Sequence, residues 1–123
     1  MTKRPDRLRR CELLVPGSSE KMMAKAAGLN VDHVFLDLED AVAEKVKVES
    51  RVKIIEALNT HDWGTKTRAV RINDLETRYA YGDVIDVVKG ARENLDVIII
   101  PTGGKSGFNP LDLNKTLRLF DVK

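Results

Sequence analysis

His33-Val34-Phe35-Leu36-Asp37-Leu38-Glu39-Asp40 carries two signals in eight residues. Its first half is a run of β-formers and bulky apolar side chains, the composition of a buried strand. Its second half places three acids within four residues where that strand ends. Carboxylates at the end of an apolar run are costly unless they are solvated, paired or close to a cation. In parallel α/β folds this end of a strand is where ligands bind. The alternative for the same residues is a helix cap followed by exposed acids, because Asp and Glu also favour helix starts.

Outward from this stretch the alternation repeats. On the N-terminal side, Cys11–Val15 reads as a strand closed by Pro16-Gly17, with Ser18 or Ser19 capping a helix that stops at Gly28. On the C-terminal side, Ala43–Leu58 reads as a helix with Val46, Ile54, Ile55 and Leu58 along its apolar stripe. Lys66–Ile72 reads as a strand, and Tyr79–Glu93 as a helix carrying Val84, Val87, Val88 and Ala91. Leu95–Ile100 is a fourth strand, ending at Pro101. Three βα units and a further strand predict an α/β fold with a parallel sheet and right-handed crossovers. The near-continuous apolar strands predict that both sheet faces are covered. An open doubly wound sheet satisfies this pattern, and so does the start of a (β/α)8 barrel, which takes ~250 residues in full. Beyond Pro101, Leu111–Phe120 reads as one last short helix.

Composition narrows the function. The 123 residues are 42% hydrophobic and 33% charged, an ordinary balance for a single globular domain. No apolar run approaches the ~20 residues that span a bilayer, and the basic arm over residues 1–9 is followed by too short an apolar stretch for a secretion signal. These features predict a cytoplasmic protein without membrane contact. A net charge of +2 with 5% aromatic residues predicts no nucleic-acid partner. One cysteine, Cys11, and two distant histidines, His33 and His61, offer neither a disulfide, nor a metal cluster, nor a hydrolase triad.

Three further places carry candidate chemistry. Pro16-Gly17-Ser18-Ser19, with Lys21 and Lys25 following, is a glycine turn into a helix N-terminus, able to take a phosphate or carboxylate or to be a plain serine cap with solvated lysines. Arg71, within Val70-Arg71-Ile72-Asn73, is a guanidinium at a strand end and requires an anionic partner, either Glu39 or Asp40 or a substrate carboxylate. Gly103-Gly104-Lys105-Ser106 suggests a phosphate loop, but the first glycine of that motif would fall on Ile99, so the match is poor.

Taken in order, these motifs resemble the HpcH/HpaI aldolase and citrate lyase β-subunit family, on the branch of the malyl-CoA and β-methylmalyl-CoA lyases. The resemblance rests on Arg10–Ser18, Val34–Val42, Asn59–Gly64 and Val70–Asn73, and runs from about Arg9 to Pro101. It implies a (β/α)8 barrel of which this chain holds about the first four strands, with residues 102–123 as a divergent tail. It also implies a Mg²⁺-dependent carbon–carbon lyase that cleaves the CoA thioester of a small hydroxy acid, reversibly, to an acyl-CoA enolate and glyoxylate or a related 2-oxo acid. By position, Arg71 stabilises the developing oxyanion and contacts substrate. Glu39 and Asp40 lie beside the metal through water and share the catalytic role. Asp37, Pro16, Gly17, Ser18, Ser19 and Lys25 contact substrate or CoA. The family's metal ligands fall beyond residue 123, so no metal ligand is expected within the chain, which is then expected to be truncated and inactive alone. A homo-oligomer is expected too. The chain departs from the family pattern at Ser19, at Glu44 and after Pro101. Two other functions compete: a non-catalytic half-barrel that self-associates to cover its sheet edges, and a nucleotide-binding module built on the Gly103–Ser106 loop.

Overall fold

In the computed structural model, residues 12–101 and the strand over residues 117–121 are described. The elements run β1 (Glu12–Pro16), α1 (Glu20–Ala27), β2 (His33–Asp37), α2 (Lys47–Thr60), β3 (Thr67–Arg71), α3 (Ala80–Ala91), β4 (Val97–Pro101) and β5 (Leu117–Asp121). Short 3-10 turns precede α2 and follow α3. Ser19 caps α1 by accepting from the Met22 N–H at 3.1 Å, and Gly28 closes it, as the turn chemistry predicts.

The sheet order is β1-β2-β3-β4-β5, and the first three pairings are parallel. Each strand lies beside its predecessor, with no reversal of direction along the sheet. That order is the singly wound order of a (β/α)8 barrel and excludes the doubly wound alternative. The helices share one face. Val15, Val34, Leu36, Val70, Ile98 and Ile100 of the strands enter one core with the apolar sides of α1, α2 and α3. Trp63 seals the lower end of α2, its indole N–H donating to the Ala57 carbonyl at 3.1 Å. The opposite face carries only a small cluster, Ala69 and Ile99 with Phe35 and Val97, and Leu14 there is 45% exposed. Among the described residues, therefore, one sheet face is helix-covered and not two.

The expected helix over 111–120 is corrected in its second half. Leu117–Asp121 is a strand, antiparallel to β4, with Leu117 opposite Pro101 and Asp121 opposite Val97. A short stretch with leucines two apart fits helix or strand equally by local pattern, and the unpaired edge of β4 decides for strand. Cys11, the basic arm over 1–9, the first part of the expected helix and the Gly103–Ser106 loop with Lys105 lie outside the described residues.

Candidate active site at the strand ends

The parallel register aligns Pro16, Asp37, Arg71 and Ile99 in one row, at the carboxyl ends of β1, β2 and β3 and the middle of β4. Side chains alternate along a strand, so Asp37 and Arg71 point to the face away from the helices, above Phe35 and Ala69. The β2 and β3 ends thus bring together the acid cluster and the arginine, which lie 34 residues apart in sequence.

Arg71 is buried, and its Nε donates to Asp37 Oδ1 at 2.7 Å, with Glu39 Oε1 at 3.4 Å. Burial opposes its charge, but the Asp37 hydrogen bond and the charges of Asp37, Glu39 and Asp40 outweigh burial and raise its pKa. Asp37 is fully buried, and both of its oxygens are engaged. Oδ1 also accepts the Glu39 N–H at 3.0 Å, and Oδ2 accepts the Ala41 N–H at 2.8 Å. A carboxylate so occupied orients its neighbours. Glu39 is half-buried and Asp40 exposed. Burial is the main reason that the Glu39 carboxyl is pushed up to about 7; Arg71 pulls it down, and Asp40, Asp37 and Asp74 add to the rise. The result is a carboxyl able to hold or release a proton near neutral pH, beside a fixed cation.

The loop after β1 borders this row. The Gly17 N–H donates to the Asp37 carbonyl at 2.8 Å, and the Ser18 carbonyl accepts from Lys53 Nζ at 3.2 Å. A Cβ on Gly17 would stand 2.8 Å from that same Asp37 carbonyl and 2.5 Å from Ile54 Cδ1. Ile54 can turn away, but the strand carbonyl cannot, so only glycine lets the loop lie this close. Gly17→Ala is expected to cost about 1–3 kcal/mol, read as a lower denaturant midpoint at unchanged slope. Ser19 spends its hydroxyl on the helix cap. Lys25 does not join the site. It is exposed in the last turn of α1, which runs away from the strand ends, roughly 9 Å along the axis from the cap by helical rise.

Residue patterns alone pass over Lys47, Arg51 and Asp83. Lys47 Nζ donates to the carbonyls of Leu38 at 2.9 Å and Glu39 at 2.7 Å, pinning the turn that presents Glu39. Asp83 is fully buried and gathers Asn73 and Arg51. Its signal was available: it sits four residues before Val87 on the buried stripe of α3, a position where an acid is anomalous.

The described residues do not fit a magnesium site by themselves. They contain no grouping of three His, Cys, Asp or Glu able to hold a cation, and Asp37 is committed to Arg71 and two backbone donors. Glu39 and Asp40 could meet a hydrated cation only from outside its inner shell.

Strand order and helix placement define a barrel-type α/β protein with an arginine–carboxylate cluster at its strand ends. The profile of the HpcH/HpaI aldolase/citrate lyase family matches residues 10–103, and the chain belongs to that family. It is 48% identical over 100 residues to L-malyl-CoA/beta-methylmalyl-CoA lyase of Cereibacter sphaeroides, covering 81% of this chain and 31% of that one. It is 40% identical over 92 residues to (3S)-malyl-CoA thioesterase of the same organism, covering 75% and 31%. The chain thus spans about a third of the length of the curated relatives it matches. A malate synthase of Haloferax volcanii, solved as a magnesium/glyoxylate complex, shares the fold with a TM-score of 0.67 at 23% identity, over 77% of this chain and 33% of that one. Among the described residues no helix is long and apolar enough to cross a membrane.

Proposed function

We propose that this chain supplies the arginine and proton-exchange side of a carbon–carbon lyase site for the CoA thioester of a small hydroxy acid. The observation that carries the reading is the Arg71–Asp37–Glu39 cluster, set on adjacent strand ends of a chain with a malyl-CoA lyase relative at 48% identity. In such a cleavage a base takes the hydroxyl proton, the carbon–carbon bond breaks to an aldehyde-level acid, and the thioester enolate is protonated. Arg71 stabilises the anionic oxygen, Glu39 holds or releases a proton near neutral pH, and Asp40 contributes negative charge at the rim. Asp37 acts by fixing Arg71. Pro16, Gly17, Ser18 and Ser19 border the substrate through their backbone. The same reading includes glyoxylate or a related 2-oxo acid as product, a homo-oligomer and a cytoplasmic location. Magnesium, when bound, would act as a Lewis acid at the substrate oxygens; no step is assigned to it on these residues.

Two relatives name malyl-CoA but different reactions, so the test must separate products. Malyl-CoA is added with Mg²⁺ to the 123-residue chain, binding is followed by calorimetry, and glyoxylate and free thiol are assayed. The expected result is binding without turnover, because the described residues hold no set of cation ligands. Absence of binding would refute the reading; glyoxylate production by the chain alone would support the lyase chemistry and overturn the expectation that these residues supply only one side of the site. Free thiol without glyoxylate would move it to thioester hydrolysis.

A further inference from the structure

Eight residues, 72–79, connect β3 to α3, and one buried ion pair holds both ends of this loop. At its start, the Asn73 N–H and side-chain amide both donate to Asp83 Oδ2, at 2.9 and 2.7 Å. At its end, the Tyr79 carbonyl accepts from Arg51 Nη2 at 3.1 Å and from the Asp83 N–H at 2.9 Å. The two holders are bonded to each other, Arg51 Nε to Asp83 Oδ1 at 2.8 Å. Asp83 is fully buried and the Arg51 side chain is 11% exposed. The packing is built for this pair: a Cβ on Gly82 would lie 2.6 Å from Arg51 Nη2, so the α3 backbone has been left bare where the guanidinium crosses it.

The pair comes from α2 and α3, the helices that follow the two strands ending in Asp37 and Arg71. Asn73 stands two residues beyond Arg71, and Ile72 between them is tied to the Ile99 carbonyl at 3.1 Å. The loop also brings Asp74 close enough to act on Glu39. We infer that Asp83 and Arg51 are positioning residues of the strand-end site, a clamp that fixes the β3–α3 loop and through Asn73 the seat of Arg71. This rests on the function proposed above only for the identity of the bound ligand.

Asp83 faces three donors, which a carboxylate satisfies and an amide cannot, since the NH2 of Asn would oppose a donor. In Asp83→Asn, amide hydrogen exchange at Asn73 and Thr77 is expected to rise roughly 10–100-fold, while β1 and β2 amides keep their protection. Arg51→Lys keeps the charge but gives up the planar fork that reaches Asp83 and Tyr79 together. This variant is expected to loosen the loop while retaining the fold, and to weaken malyl-CoA binding about tenfold or more. If Asp83→Asn fails to fold, Arg51→Lys decides by the same measurements. Unchanged exchange over residues 73–79 in the folded variants would overturn the clamp. Loosened exchange with unchanged malyl-CoA affinity would overturn its positioning role. A wild-type chain that binds no malyl-CoA refutes the proposed function instead, and the exchange comparison still decides the clamp.

Discussion

Arg71→Met is expected to destabilise the fold by about 3–5 kcal/mol, the usual cost of removing one partner of a buried ion pair. Asp37 is the reason. It is fully buried, and without the guanidinium its negative charge would be left with only the two backbone N–H groups of Glu39 and Ala41. Such a loss is a large share of the 5–15 kcal/mol that holds a typical domain together. Methionine fills much of the same volume, so a cavity contributes little and the effect reports charge. Asp37→Asn combined with Arg71→Met should recover a substantial part of the loss, because the uncompensated charge is then gone. Urea unfolding of the two variants measures both quantities. A single variant within 1 kcal/mol of wild type would show that Asp37 does not depend on Arg71. Arg71→Met should also abolish malyl-CoA binding under conditions where the variant is still folded.

Glu39 is expected to titrate with a midpoint near 7, followed through its side-chain carboxyl carbon by NMR. At neutral pH about half of the molecules then carry a proton there, whereas an ordinary glutamate is almost wholly ionised. The sign for stability follows from the direction of the shift. Between its ordinary value of 4.5 and about 7, the folded chain holds a proton that the unfolded chain has released. The contribution of this group is therefore complete below 4.5 and is lost as pH rises through 7. Solvent at the partly exposed carboxyl reduces its size to on the order of 1–2 kcal/mol. Glu39→Gln should accordingly be more stable than wild type at pH 8 and no more stable at pH 4. Asp74→Asn should lower the midpoint and Arg71→Met should raise it, since these groups push in opposite directions. A wild-type midpoint between 4 and 5 would remove Glu39 as a proton-exchanging group.

The acid cluster and the arginine were legible before any fold was known, because each breaks a local rule. Asp37, Glu39 and Asp40 crowd the end of an apolar strand, and Arg71 interrupts another. Their pairing was not legible in detail. Glu39, Asp40 or a substrate carboxylate is the partner the sequence suggests, yet the closest protein contact is Asp37, because the parallel register sets Asp37 directly opposite Arg71. Lys25 was attractive by proximity in sequence and fails in space, since a helix carries it away from the mouth within two turns. Asp83 and Arg51 leave no mark in the local pattern of the loop they hold, because the Asn73 donors and the Tyr79 carbonyl meet their side chains only by tertiary contact.

Local chemistry by itself determined the elements. Apolar runs made the four parallel strands, amphipathic spacing made the helices between them, and Ser19 and Gly28 set the ends of the first helix. The family, too, was carried by short motifs in order. Tertiary structure alone decided that the sheet is wound in one direction, that one face carries the helices, and that residues 117–121 pair antiparallel to β4. The division has one physical origin. Helix periodicity, capping and burial are settled within a few residues, whereas strand order, ion pairing and edge pairing depend on which distant backbone is adjacent. That adjacency gives Arg71 its buried counter-charge and leaves Glu39 half-buried among acids, with a proton to exchange.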